Sequence, residues 1–269
     1  MVMSWDGQGR LAAAGAGRPD GGSAILALAG FGIFLAVWPV LIVHAAFAIS
    51  VAEQYVALCN PYWDGCTSIS RAGRHGWANH LFRGAMLPYA VPLALYWWLN
   101  QRWLLGLGSK GSRAMLASGW IGALFLILYV TFLGTEGQTY QLMRRYGINV
   151  YFGGTFLAQV LLALRLRRLQ GQGLGSMPRW IASGLVGLAC AVLAIGLLYV
   201  GIRLGLASDQ DRWENVLEWA AALGMQLSIV LTVLGWRASR LALQVDCAVV
   251  VTGGDAPATG SHLRDRAES

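Results

Sequence analysis

Apolar positions in this chain fall into runs of roughly 20 residues, each followed by a short polar segment, and they leave no stretch long enough for a large soluble domain. The runs cover residues 24–50, 85–105, 114–133, 149–166, 180–202 and 214–236. A helix rising about 1.5 Å per residue crosses a hydrocarbon core of about 30 Å in such a run. The fourth run is short, and Asn100, Gln101 and Arg102 interrupt the end of the second. The pattern predicts an all-α, polytopic membrane helical bundle of about six transmembrane helices. Residues 1–22 form a polar, flexible N-terminus, residues 23–238 the transmembrane domain with an outer loop at 52–83, and residues 239–269 a C-terminal tail in which CAVVV is too short to span. The first run is too long for a signal-peptide core and lacks a convincing cleavage site, so it reads as a retained helix.

Composition supports the membrane class. The chain is 56% hydrophobic and 12% charged, with mean hydropathy +0.52, where a soluble domain carries about 25% charged residues. A net charge of +7 would suggest nucleic-acid binding in a soluble protein. Here the cations lie between the apolar runs, which points to membrane topology and anionic headgroups and excludes a nucleic-acid partner.

With the N-terminus inside, the inner segments carry Arg10, Arg18, Arg102, Lys110, Arg113, Arg165, Arg167, Arg168, Arg179, Arg237 and Arg240, followed by Arg264 and Arg266 in the tail. The outer segments carry Arg71, Arg74, Arg83, Arg144, Arg145, Arg203 and Arg212. The inner excess predicts that both termini are cytoplasmic. Cys59 and Cys66 then fall in the first outer loop, around the turn-forming Asn60-Pro61 and Asp64-Gly65. They form a disulfide if that side is periplasmic or extracellular, and two free thiols if the compartment is reducing. Cys190 and Cys247 have no evident partner. Arginine and glycine usage suggests a bacterial inner membrane with the cysteine loop in the periplasm.

Small residues at four-residue spacing, Ala114, Ser118 and Gly122 on the third run and Gly187 and Ala191 on the fifth, predict close helix contacts. Pro39, Pro88 and Pro92 predict kinks and freed carbonyls.

Polar groups in or beside the spans are costly and so mark candidate chemistry. Glu214, Glu218 and Gln226 form a stripe on the sixth run, and His44 and Gln159 interrupt the first and fourth. A carboxylate pair with a histidine supports acid/base chemistry or cation binding; headgroup-depth ion pairs with Arg212 or Arg83 are the simpler reading. Asp64, His75 and His80 lack zinc-ligand spacing, and the chain carries no G-x-S-x-G, H-E-x-x-H or Walker motif. No metal and no cofactor is therefore expected. The first outer loop is better suited to an anion. Ser68, Ser70, Arg71, Arg74, His75, His80 and Arg83 supply hydroxyl and cationic donors, and guanidinium groups bind phosphate through paired hydrogen bonds. Tyr62, Trp63, Trp77 and Phe82 suit the membrane interface.

The loop ending SISRAGRHGWANHLFRGAMLP resembles the Frag/DRAM/Sfk family of six-span membrane proteins. The matching positions are Ser68-Ile69-Ser70, Gly73 and Phe82-Arg83, with Thr67 where that family's motif has proline. Thr131, Thr135 and Glu136, followed by Arg144 and Gly147, resemble the family's second element, with arginine in place of histidine. The family includes proteins of GPI-anchor lipid remodelling and autophagy modulators. The resemblance implies a lipid-related role and adds Glu136 to the candidate headgroup residues; bacteria lack the usual GPI anchor, so that substrate does not carry over. Expected partners are membrane lipids, among them a glycolipid, and other membrane proteins. The expected function is binding or assisting the processing of a lipid or glycolipid at the outer leaflet. An intramembrane enzyme acting on a lipid is the alternative and requires two or more of His44, His80, Glu136, Glu214 and Glu218 to converge on one cavity. A transporter or sensor is the third reading, weakened by the absence of similarity between the two halves of the chain.

Overall fold

A computed structural model describes residues 21–173, 177–206 and 209–242. The expected polar leader with Arg10 and Arg18, the CAVVV run with Cys247, and the tail with Arg264 and Arg266 lie outside the described residues. The helices are α1 (Gly21–Ala52), α2 (Ile69–Ala72), α3 (Gly76–Gly106), α4 (Arg113–Thr131), α5 (Gln138–Gly171), α6 (Arg179–Gly201) and α7 (Gln210–Ala238), with a π-helical turn, Ile202–Leu206, extending α6. There is no strand among the described residues.

Helices α1, α4, α5, α6 and α7 are long and apolar enough to cross a bilayer. The second expected span is also a long helix, α3, but it carries too many polar residues to join them by composition. Packing accounts for this. Tyr89, Tyr96, Trp97, Asn100 and Trp103 of α3 are all buried against protein, so the polar and aromatic residues of this helix fall on its protein-facing side while Val91 and Leu95 lie on its exposed side. The boundaries also shift. The fourth run is the middle of the 34-residue α5, so Arg144 and Arg145 stand on a helix and not in a loop. The expected outer loop contains α2 and the start of α3, which puts His80 and Arg83 on helical turns.

The six long helices form a closed ring. Each packs on its neighbour in sequence, and α7 returns to α1. The α4–α5 seam is the closest: a side chain at Gly154 would strike the Ser118 carbonyl, and one at Gly122 would strike Thr155. Of the small residues expected on α4, Ser118 and Gly122 thus have their partner in α5, whereas Ala114 is exposed. The pair expected on α6 does not, since Gly187 has open space beside it and Ala191 is exposed. Pro39 sits inside α1 and cannot donate to the Leu35 carbonyl one turn back. The Tyr89 hydroxyl of α3 donates to that carbonyl at 2.8 Å, so the proline break becomes an α1–α3 contact.

At the end of the bundle away from α2, polar groups are paired within the core. Trp236 Nε1 donates to Asn100 Oδ1 at 3.2 Å, Asn100 Nδ2 donates to the Tyr96 carbonyl at 3.0 Å, and Trp103 Nε1 donates to Ser239 Oγ at 2.8 Å. Such pairing is what permits a buried amide and two indoles in an apolar interior.

Candidate functional site

The segment between α1 and α3 folds as a cap over the other end of the ring. Asn60 Oδ1 accepts from the Tyr62 N–H at 3.0 Å and Asp64 Oδ2 from the Asn60 N–H at 2.9 Å, a local side-chain turn of the kind Asn and Asp favour. Cys59 and Cys66 are joined by a disulfide. Three carbonyls of the cap accept from side chains of α7: Trp63 from Arg212 at 3.1 Å, Gly65 from Asn215 at 2.8 Å, and Thr67 from Trp219 Nε1 at 2.9 Å. Gly65 has φ +61°, and a side chain there would collide with the Arg212 backbone. Glycine is therefore required for this approach.

This docking puts α2 against α7. Ser68 caps α2 by accepting from the Arg71 N–H at 3.1 Å, and Glu218 of α7 stands at the start of α2, beside Ile69 and Ser70. Arg74 lies within the field of Arg144, Tyr129, Arg71 and Glu218. Burial, then the Arg144 guanidinium, lowers its pKa. Arg74 Nε is buried with no hydrogen-bond partner. The cap thus brings two guanidinium groups, Arg71 and Arg74, into the field of the Glu218 carboxylate, with Arg144 of α5 in the field of Arg74, an excess of positive charge suited to an anion.

Beside this cluster a groove of about 560 Å³ opens between α5, α6 and α7. Its polar end carries Ser70, Arg145, Asn149, Tyr199, Arg203 and Glu218, and its apolar length is lined by Phe152, Phe156, Val192, Leu193, Ile195 and Met225. Phe156 and Val192 each lie eleven residues from the arginine on their own helix, about 16 Å at the helical rise. At the far end α5 and α6 are tied together by Arg167 donating to Ser183 Oγ at 2.8 Å and Gln170 donating to the Pro178 carbonyl at 3.1 Å. The far end of the groove is therefore bridged, while its polar end lies beside the cap. A second cavity, of about 60 Å³, lies inside the ring and includes His44, Tyr62, Tyr129, Trp219 and Gln226 among its lining residues.

The candidate residues divide accordingly. Ser68, Ser70, Arg71, Arg74 and Glu218 gather under the cap. His75 stacks on Tyr55 with ring centroids 5.2 Å apart, and His80 lies 5.7 Å from the Trp77 ring, both on the exposed side of the cap. The first turn of α3 is capped by Glu53, whose carboxylate accepts from the Trp77 N–H at 3.2 Å. Arg83 is half-buried one turn further along α3, and Glu136 is exposed ahead of α5; neither lines the groove. Glu214 pairs with Arg203 at 3.0 Å, not with Arg212 or Arg83. His44 Nδ1 donates to the Val40 carbonyl at 2.7 Å, and its Nε2 accepts from the Tyr62 hydroxyl at 3.1 Å. His44 lines the inner cavity and Glu218 the groove, so the expected acid/base set does not share a space.

Four groove residues, Arg145, Asn149, Tyr199 and Arg203, are absent from the sequence-based site. Their signal is the four-residue spacing within each pair, 145 with 149 and 199 with 203, which stacks both members on one helix face. Treating 144–145 and 203 as loop charges hid that spacing.

No protein-family model, curated protein or solved structure matches the chain.

Proposed function

We propose that this polytopic membrane protein binds a lipid in the groove between α5, α6 and α7, with an acyl chain along Phe152, Phe156, Val192 and Leu193 and an anionic headgroup at Arg145 and Arg203. The observation that carries the reading is the groove's polarity: cations and hydroxyls at the cap end, aliphatic and aromatic side chains for about 16 Å below. A membrane amphiphile has the same division along its length. Phosphate suits the two guanidinium groups through charge-assisted hydrogen bonds, and Ser70 brings the first loop to the headgroup. The reading agrees with the lipid-related role implied by the Frag/DRAM/Sfk resemblance. On this reading α3 is the sixth span and the cap faces an oxidising compartment, the periplasm of a bacterial inner membrane; the Cys59–Cys66 disulfide supports that orientation. Transient lipid binding and assistance to a lipid-processing partner both fit a groove whose catalytic candidates lie apart.

The test is lipid analysis of protein purified in mild detergent. Arg145→Ala with Arg203→Ala lowers the amount of co-purifying anionic lipid about five-fold or more, given about 1 kcal/mol for each cation at a headgroup. Arg83→Ala, outside the groove, leaves it unchanged. Equal lipid content in all three proteins rejects the groove as the binding site.

A further inference from the structure

Two cations line the groove's polar end, Arg145 and Arg203, and they are not equivalent. Arg203 Nε stands 3.0 Å from Glu214 Oε1, an ion pair between the π-helical turn after α6 and the start of α7. It is the single ion pair among the described residues, so Arg145 on α5 has no carboxylate partner there. Glu214 does not line the groove. Its side chain is 17% exposed, against 59% for Arg203, so the arginine can turn toward a ligand while the carboxylate stays behind it. The one acid in the groove lining, Glu218, lies in the field of Arg71 and Arg74, which offsets its charge from the side of the cap.

An anion entering the polar end therefore meets one free guanidinium and one that it must draw away from a carboxylate. A phosphodiester, singly charged, offers Arg203 no more charge than Glu214 already supplies and gains little by the exchange. A phosphomonoester carries about −1.5 to −2 charge at pH 7 and three strong acceptor oxygens, so it can hold both guanidinium groups through paired hydrogen bonds. A diester gives up one of those oxygens to its second ester bond. The donors around the site suit the richer acceptor, since Ser70, Asn149 and Tyr199 line the polar end together with the two arginines.

We propose that the groove selects lipids with a terminal phosphate over phosphodiester lipids of the same chain, and that Glu214 is the positioning residue that sets the preference by holding Arg203 until a more highly charged headgroup draws it away. The proposal rests on the groove reading above and narrows its headgroup to a phosphomonoester.

Dioleoyl phosphatidic acid and dioleoyl phosphatidylglycerol share their tails and differ at the phosphate, and native mass spectrometry of the full chain in detergent reads the binding of each. The wild type binds the monoester about ten-fold more tightly than the diester. Glu214→Gln frees Arg203, strengthens binding of the diester and brings the ratio down to about two-fold or less. Arg203→Ala weakens the monoester about ten-fold and leaves the diester near its wild-type affinity. Ala221→Trp, placed in the groove wall, abolishes binding of both. Glycerol 3-phosphate, which has the terminal phosphate and no chain, does not compete with the lipid. If the wild type binds both lipids equally while Ala221→Trp still blocks both, the selectivity is wrong and the groove stands. If Ala221→Trp leaves both unaffected, the groove reading fails and the proposal with it. A ratio unchanged by Glu214→Gln overturns the role of Glu214, because a merely structural ion pair would shift both lipids alike. Glycerol 3-phosphate binding as tightly as the phosphatidic acid would make this a site for free phosphate esters and overturn the lipid claim.

Discussion

Helices α3 and α6 invert the expectation carried over from soluble proteins. α6 is the most apolar of the candidate spans, and only 11% of its apolar window is buried; α3 is too polar to be recognised as a span, yet it packs between α1 and α4 with its tyrosines, tryptophans and Asn100 in the core. In a bilayer, hydropathy is selected where a helix meets lipid. The protein-facing side of a helix is free to carry hydroxyls, indoles and an amide: the Tyr89 hydroxyl, the Trp103 indole and Asn100 find partners, whereas the Tyr96 hydroxyl and the Trp97 indole are buried without one. α3 therefore specifies the bundle, while α6 supplies one lightly packed wall of the groove.

That contrast gives paired substitutions. Trp236→Ala removes a buried ring seated beside α3 and strands Asn100 Oδ1, and we expect it to destabilise the protein by about 3–5 kcal/mol. Leu197→Ala, on the exposed face of α6, changes stability by less than about 0.5 kcal/mol. Unfolding in mixed detergent micelles reads both, and comparable losses would remove the distinction between the two helices.

Loss of the cap comes next. Cys59→Ser with Cys66→Ser frees the loop that docks on α7, and chain-entropy reasoning for so short a loop gives about 2 kcal/mol. A reductant should reproduce the thermal shift in the wild type and have no effect on the double variant. A wild type indifferent to reductant would mean that the hydrogen bonds to α7 hold the cap unaided.

The smallest effect is the most discriminating. Gly122→Ala puts a methyl against Thr155 in the α4–α5 seam and costs about 1 kcal/mol. Gly187→Ala on α6 meets nothing, and the better helix propensity of alanine makes it neutral or slightly stabilising. Changes of the same sign in both would show that α6 has a helix partner at this face.

The helical bundle is legible in the sequence because long apolar runs leave few alternatives. The cap was legible in part: the clustering of Ser68, Ser70, Arg71 and Arg74 and the polar stripe on α7 indicated two halves of a site, and the structure brings Glu218 to the start of α2. What the runs could not show is where α5 begins. Its first turns are polar and read as loop in the sequence, so Arg145 is separated from its helical neighbour Asn149, the first residue of the expected span. The partner of Glu214 was hidden for the same reason, since Arg203 sits on the π-helical turn beyond the apolar part of α6. Nor does spacing within α6 reveal that its small residues face open space; that depends on which helix stands beside it. The inner cavity is the least legible feature, because Tyr129 and Gln226 belong to different helices and look individually like ordinary packing residues.

The central claim, that a lipid chain lies between α5 and α6, is tested most directly by photolabelling. A phospholipid with a diazirine in its acyl chain, reconstituted with the full chain and mapped by peptide mass spectrometry, should label Phe156, Val192 and Ile195 well above the bilayer-facing residues Ile33 and Val91. Labelling spread evenly over α1, α3 and α6, with no excess at the groove, would contradict the account.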